Sequence, residues 1–156
     1  MECNFNIAFR TILEVEGGLV DDPNDRGGLT KYGISKKAFP NLDIASLTIE
    51  QAKAIYRKNY WQPCRCDDLP ASFDIAVFDT AINMGCSKAV KLLQKALNIN
   101  VDGSIGPKTI AAAKAAGETE LRNFFLYRLF DYANQTAWKH YGRGWFNRLI
   151  TVSGVV

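Results

Sequence analysis

Phe5-Asn6-Ile7-Ala8-Phe9-Arg10-Thr11-Ile12-Leu13-Glu14-Val15-Glu16-Gly17-Gly18 sets apolar side chains at Phe5, Ala8, Phe9, Ile12 and Leu13 and then runs into paired glycines. Apolar residues at three- and four-residue intervals mark one buried face of a helix, and a glycine pair favours a left-handed exit over another helical turn. The pattern predicts an opening helix that ends at Glu16. Beyond it the composition changes. Between 17 and 33, Asp21, Asp22, Pro23, Asn24, Asp25, Gly27, Gly28 and Gly33 are all turn formers. Leu19, Val20, Leu29, Tyr32 and Ile34 provide apolar anchors. The stretch therefore reads as a long shaped loop, with room for a short β-hairpin, of a length that usually serves function or is disordered.

Further along, helical signals follow one another. Thr48-Ile49-Glu50-Gln51 has the form of a capping box that opens a helix to about Trp61, stopped by Pro63. Pro70 precedes a helix over 72–84 whose inward stripe is Phe73, Ala76, Val77, Thr80, Ala81 and Met84, with Gly85 at its end. Ser87 is placed to cap a helix over 88–97 with Val90, Leu93 and Leu97 inward. Pro107, after Gly106, suits the first residue of a helix reaching 116. A long helix from 118 to about 140 and a shorter one over 145–152 complete the chain. The fold class expected is mainly α, with six to seven helices and at most a short hairpin in the loop. A change of character near 97–106 divides the chain into 1–96 and 97–156, packed against each other as one unit.

Composition narrows the function classes. The 156 residues are 47% hydrophobic and 22% charged, with charges mixed along the chain, which excludes the signature of disorder. A net charge of +3 suits an anionic polymer, but Lys and Arg are scattered, so a nucleic-acid stripe is not expected. Cys64 and Cys66 are too close for a zinc knuckle and His140 is a lone histidine, so no metal or other cofactor is implied; the four cysteines read as buried thiols or an occasional disulfide. The start Met1-Glu2-Cys3-Asn4-Phe5 lacks the pattern of a secretory signal. The apolar run 124–130, interrupted by Arg128, is too short to span a membrane. The expectation is synthesis in the cytoplasm, with separate delivery if the target is a cell wall.

Among the glutamates, Glu50, Glu118 and Glu120 fall in first turns, where a carboxylate offsets the helix dipole. Glu16 falls at the opposite end of its helix, with Glu14, Asp21, Asp22 and Asp25 close in sequence. Both circumstances oppose ionisation and raise the pKa, as a general acid requires. Asp25 follows by nine positions and Thr30 by five more, in a stretch that Gly17, Gly18, Gly27 and Gly28 allow to fold back over the helix end. An acid plus a second polar group is the equipment of glycoside cleavage. A solvated surface glutamate, an Asx-turn aspartate and a strand-forming threonine are the structural alternatives.

Glu16-Gly17-Gly18, Asp22-Pro23-Asn24-Asp25, Gly27-Gly28-Leu29-Thr30 and Tyr32-Gly33-Ile34 closely resemble the signature of glycoside hydrolase family 108, lysozyme-like N-acetylmuramidases found as phage endolysins and bacterial secretion-activator proteins. The resemblance continues in Tyr60-Trp61, in 78–85, in Leu93-Gln94 and in 144–148, and the segment 102–109 looks like a peptidoglycan-binding-type module. It implies a lysozyme-like fold and hydrolysis of the β-1,4 bond between N-acetylmuramic acid and N-acetylglucosamine. It also implies a catalytic triad of Glu16, Asp25 and Thr30, and peptidoglycan glycan strands as partner, with a holin or a secretion system for delivery. Leu19 and Arg26 depart from the family pattern, which often has an aromatic and a proline there. Tyr32, Tyr60 and Trp61 are candidates to line a glycan groove, since aromatic faces pack on sugar C–H surfaces, with core filling the alternative for Trp61. Asp79 and Asn83, four apart on one helix face amid apolar neighbours, are placed to brace the catalytic loop or to touch substrate, with bracing favoured. A non-catalytic wall-binding protein and a lytic transglycosylase are the rival readings.

Overall fold

The computed structural model describes residues 2–16 and 29–156. Helix α1 (Glu2–Glu16) ends at the glutamate that the opening pattern singled out. A two-residue antiparallel hairpin follows, β1 (Thr30–Lys31) and β2 (Ile34–Ser35), with Thr30 opposite Ser35 and Lys31 opposite Ile34. Six further helices come next: α2 (Ile49–Tyr56), α3 (Ala71–Met84), α4 (Cys86–Ala96), α5 (Pro107–Ala115), α6 (Glu118–Ala133) and α7 (Trp138–Ser153). The fold is mainly α, as the periodicity predicts.

Where local chemistry dictates a helix end, the chain obeys it. Thr48 caps α2, its hydroxyl accepting from the Gln51 backbone N–H at 3.2 Å while the Gln51 side chain accepts from the Thr48 N–H at 2.9 Å. Pro107 is the first residue of α5. Gly85, at φ 87°, ends α3 in a conformation that a residue with a Cβ rarely adopts. Gly85 is also the residue from which α4 springs, so α4 begins at Cys86 with no side-chain cap, and the capping role expected of Ser87 is not used.

Two helices differ from expectation. The helix opened by Thr48 is regular only to Tyr56 and continues as a π-helical turn over Arg57–Trp61. There the Gln62 N–H bonds to the Arg57 carbonyl five residues back, at 2.9 Å, and the wider turn brings residues spaced by five onto one face. Tyr56 and Trp61 are accordingly both buried. The helix expected over 118–140 stops instead at Ala133, and a single helix covers the region where a gap and a short helix were expected. Gly142, an apparent interruption, sits inside α7 because the Trp138 indole lies over it: a Cβ there would meet the ring at 2.7 Å. Close packing, not chain reversal, accounts for that glycine.

The core forms where α1, the turn after α2 and α3 meet. Phe5, Trp61 and Phe78 make mutual edge-to-face contacts with ring centroids 5.0 to 5.7 Å apart, and Phe9 packs edge-on against Tyr56 at 5.8 Å. Helix α3 runs through the middle. Its residues from Phe73 to Ala81 are buried on every side, so the stripe expected on it widens to the whole circumference.

A central helix buried all round must satisfy its polar residues internally. Asp74 accepts from the Asn4 side chain at 2.9 Å, tying α3 to α1. Asp79 faces the other way. Its carboxylate takes Arg128 of α6 at 2.6 Å and Arg148 of α7 at 2.8 Å, with all three side chains buried. Removing one partner from a buried ion pair costs about 3–5 kcal/mol, because the others are left uncompensated. Asp79→Ala, which strands two guanidinium groups, is expected to lower the unfolding free energy by at least that order in urea titration. Loss of about 1 kcal/mol or less would show that the cluster contributes little.

Candidate functional site

The hairpin, α2 and α3 enclose a cavity of about 220 Å³ lined by Gly33, Ile34, Phe39, Tyr56, Tyr60 and Asn83, among others. The hairpin is held there by its own turn. Tyr32 takes a left-handed conformation, φ 53°, ahead of Gly33 at φ 74°, and the Tyr56 hydroxyl donates to the Tyr32 carbonyl at 2.9 Å. Lys31 lies over the Tyr32 ring, 5.5 Å from its centroid. Thr30 stands on β1 beside this turn. A second cavity, about 370 Å³, is lined by Asn83, Met84, Lys88, Asp131, Tyr132, Gln135 and Trp145. Asn83 lines both. The two cavities share that residue as a wall, and together they make up the candidate groove between the hairpin and α7.

Hydrogen bonding decides which way Asn83 presents its amide. The Tyr132 hydroxyl accepts from Arg128 twice, from Nε at 3.0 Å and from Nη2 at 2.8 Å. Its own proton goes to Asn83, whose Oδ1 lies 2.7 Å away. Burial pushes the Tyr132 phenol up, which keeps that proton in place. With Oδ1 committed as an acceptor, the amide N–H₂ is what Asn83 offers to a ligand. Such a donor suits a carbonyl or hydroxyl oxygen.

The rim of the second cavity carries a Lys88–Asp131 ion pair. Behind it is an aromatic stack: Trp145 lies parallel to Tyr132 at 5.0 Å and is flanked by Tyr141 at 6.0 Å. A larger cleft, about 580 Å³, opens between α1 and α2 beside the Arg57–Asp67 ion pair. Among the described residues, none of the site residues read from the sequence lines it.

Of those residues, Tyr60 and Asn83 meet in the groove, and Tyr32 and Thr30 lie on the hairpin that walls it. Trp61 does not belong to the groove. At 1% exposure it is enclosed by Phe5 and Phe78, and its indole N–H donates to Asp67 at 2.8 Å. The π-helical turn aims it inward, so core filling is its role. Asp25 lies outside the described residues, as does the Glu16 side chain.

Asp74 is a described carboxylate held well above its usual range, at about 6, because burial penalises its charge. Its bond to Asn4, at the far end of α3 from Asn83, marks it as structural. The segment 102–109 is organised around buried Gln94. The Gln94 amide donates to Asp102 at 2.7 Å, to the Ser104 carbonyl at 3.0 Å and to Thr109 at 3.2 Å, and it accepts from the Gly103 N–H at 2.8 Å. Among the described residues no group of three His, Cys, Asp or Glu side chains is arranged to hold a metal, and no helix is long and apolar enough to cross a membrane. Sequence reasoning did not single out Lys88 and Asp131, which meet only through packing of α4 on α6.

Comparison with known proteins places these features. Residues 9–85 match the family model described as glycosyl hydrolase 108, and residues 88–150 match a predicted peptidoglycan domain. The solved structure of Brucella abortus SagA is 34% identical, with a TM-score of 0.87 over 99% of this chain and 94% of that one. No curated protein matches the chain.

Two substitutions separate groove from core. Asn83→Asp keeps the acceptor for Tyr132 but removes the amide donor. It is expected to leave thermal stability within about 0.5 kcal/mol while weakening peptidoglycan binding roughly tenfold, in line with one lost hydrogen bond. Trp61→Phe is expected to cost about 1–3 kcal/mol of stability with binding unchanged. Pull-down on purified peptidoglycan beside thermal melts reads both; the reverse pattern would exchange the two roles.

Proposed function

The chain belongs to the glycosyl hydrolase 108 family, and from that premise we propose that it is an N-acetylmuramidase of lysozyme type, hydrolysing the β-1,4 bond between N-acetylmuramic acid and N-acetylglucosamine in peptidoglycan. Glu16 is the proton donor. Its carboxyl group protonates the glycosidic oxygen as the bond breaks and positive charge develops at the anomeric carbon. Asp25, assisted by Thr30, holds the attacking water or offsets that charge. The water's oxygen becomes the new hydroxyl of the muramic acid, and its proton passes to the carboxylate that activated it.

The observation that carries this reading is the groove itself. It comprises the cavity beside the hairpin bearing Thr30, lined by Tyr60 and Asn83, and the cavity between α4, α6 and α7 that Asn83 also lines. Its first half is built from the segment that matches the hydrolase family, its second from the segment that matches the peptidoglycan domain. An extended polymer fits such a site better than a small molecule does. Tyr60 offers an aromatic face to sugar C–H surfaces, and the Asn83 amide suits the oxygen of an acetamido or hydroxyl group. The acidic groups of the peptidoglycan suit the net charge of +3.

In this reading the two parts expected from the sequence, 1–96 and 97–156, act as one binding surface rather than as an enzyme with a detachable anchor. The enzyme works in the periplasm or cell wall, delivered by a holin or a secretion system.

Glu16→Gln tests the assignment, since the amide keeps the shape and loses the transferable proton. Release of reducing sugar from purified peptidoglycan is expected to fall by about 10²–10⁴-fold with the melting temperature unchanged. A folded variant with undiminished turnover would remove Glu16 from the mechanism.

A further inference from the structure

Three thiols gather where the chain leaving the π-helical turn meets the head of α4. Cys64 and Cys66 are fully buried, whereas Cys86, the first residue of α4, is partly exposed. All three are free thiols. The Cys64 and Cys86 thiols interact with each other. Cys86 Sγ also lies 3.4 Å from the carbonyl oxygen of Asn59, so its side chain is directed back at the segment that carries Cys64.

The two thiols are not equivalent. Cys86 sits at a helix N-terminus, which favours a thiolate. The interaction with Cys64 lowers its pKa to about 7, against the opposing effect of partial burial. Cys64 is pushed up by the same interaction and by burial. Cys66 is pushed up by burial. The arrangement is a reachable nucleophile beside a buried thiol able to resolve whatever adduct the nucleophile forms.

We propose that Cys64 and Cys86 form a reversible disulfide when the chain meets a disulfide-bearing oxidant, either a small-molecule disulfide or an oxidised thiol–disulfide oxidoreductase. The Cys86 thiolate attacks one sulfur of the oxidant, joining to it and expelling the other as a thiolate. Cys64 then gives its proton to that leaving thiolate and attacks the Cys86 sulfur. The Cys64–Cys86 bond forms, the bond from Cys86 to the oxidant's attacked sulfur breaks, and that sulfur departs as a thiolate that takes up a proton from water. Two thiols of the protein are oxidised and one disulfide is reduced to two thiols.

The position of the bond gives it a consequence. Cys64 follows Tyr60 by four residues and Cys86 follows Asn83 by three, so the link joins the two sides of the groove and closes the chain between them. A disulfide constrains the unfolded chain and so favours the folded one. Reducing compartments leave such a bond open and oxidising ones close it, which would make the protein sturdier after delivery than before. The proposal does not rest on the muramidase reading, because bond formation is scored without measuring activity.

The test uses the full chain, reduced, freed of reductant and then incubated folded with oxidised glutathione. Thiol titration in denaturant is expected to fall from four groups to two, with a mass loss of about 2 Da and a linked peptide joining Cys64 to Cys86. The melting temperature is expected to rise by roughly 5–10 °C and to return on reduction. Cys86→Ser abolishes the link and Cys66→Ser retains it. Four thiols remaining, a lasting glutathione adduct on Cys86, or a link mapping to Cys66 or Cys3 would each overturn the proposal. Peptide mapping is done on the unaltered chain, so it holds even where a cysteine variant fails to fold.

Discussion

Asp79 holds this molecule together by placing one carboxylate between two arginines that come from different helices. Charges in a protein interior are costly unless each is paired and hydrogen-bonded. The arrangement therefore works as a condition: α3, α6 and α7 must arrive together for any of the three groups to be tolerated. Such a cluster selects one packing of the helices, while apolar residues such as Phe124 and Leu149 would accept several. It also reaches the surface. Arg128 donates to the Tyr132 hydroxyl, which donates to Asn83, and Asn83 lines both cavities. The ion pairs that lock the helices thus orient the amide in the groove.

This continuity explains why the two family segments make sense as one body. The hydrolase segment ends at residue 85 and the peptidoglycan segment begins at 88, yet no spacer separates them. Gly85 turns α3 directly into α4, and Asp79, in the first segment, binds Arg128 and Arg148 in the second. The wall of the second cavity, with Lys88, Asp131 and Trp145, is built by α4, α6 and α7.

Much of this was legible in the sequence, and the pattern of success has a physical cause. The caps at Thr48, Gly85 and Pro107 were readable because each is decided by a few neighbouring residues. The density of turn formers left room for the short hairpin without requiring it. Asp79 and Asn83, polar residues on an otherwise apolar helix face, announced that partners must exist, and Arg128 interrupting an apolar run was the complementary signal on α6. What failed to show was decided at a distance. The π-helical turn that drives Trp61 inward exists to serve contacts with Phe5 and Phe78. A helix that continues through 140–145, where a break was expected, depends on Trp138 lying over Gly142. Pairing of Cys64 with Cys86, like that of Lys88 with Asp131, depends on tertiary packing that no local rule encodes.

The central claim is the proposed chemistry: Glu16 at the end of α1 protonates the glycosidic oxygen, and water adds at the anomeric carbon of muramic acid. The nature of the new chain ends reports on that step most directly. Mass spectrometry of fragments released from purified peptidoglycan is expected to find reducing N-acetylmuramic acid ends, convertible to the alcohol by borohydride. Fragments ending in 1,6-anhydro-muramic acid, or in reducing N-acetylglucosamine, would contradict the account.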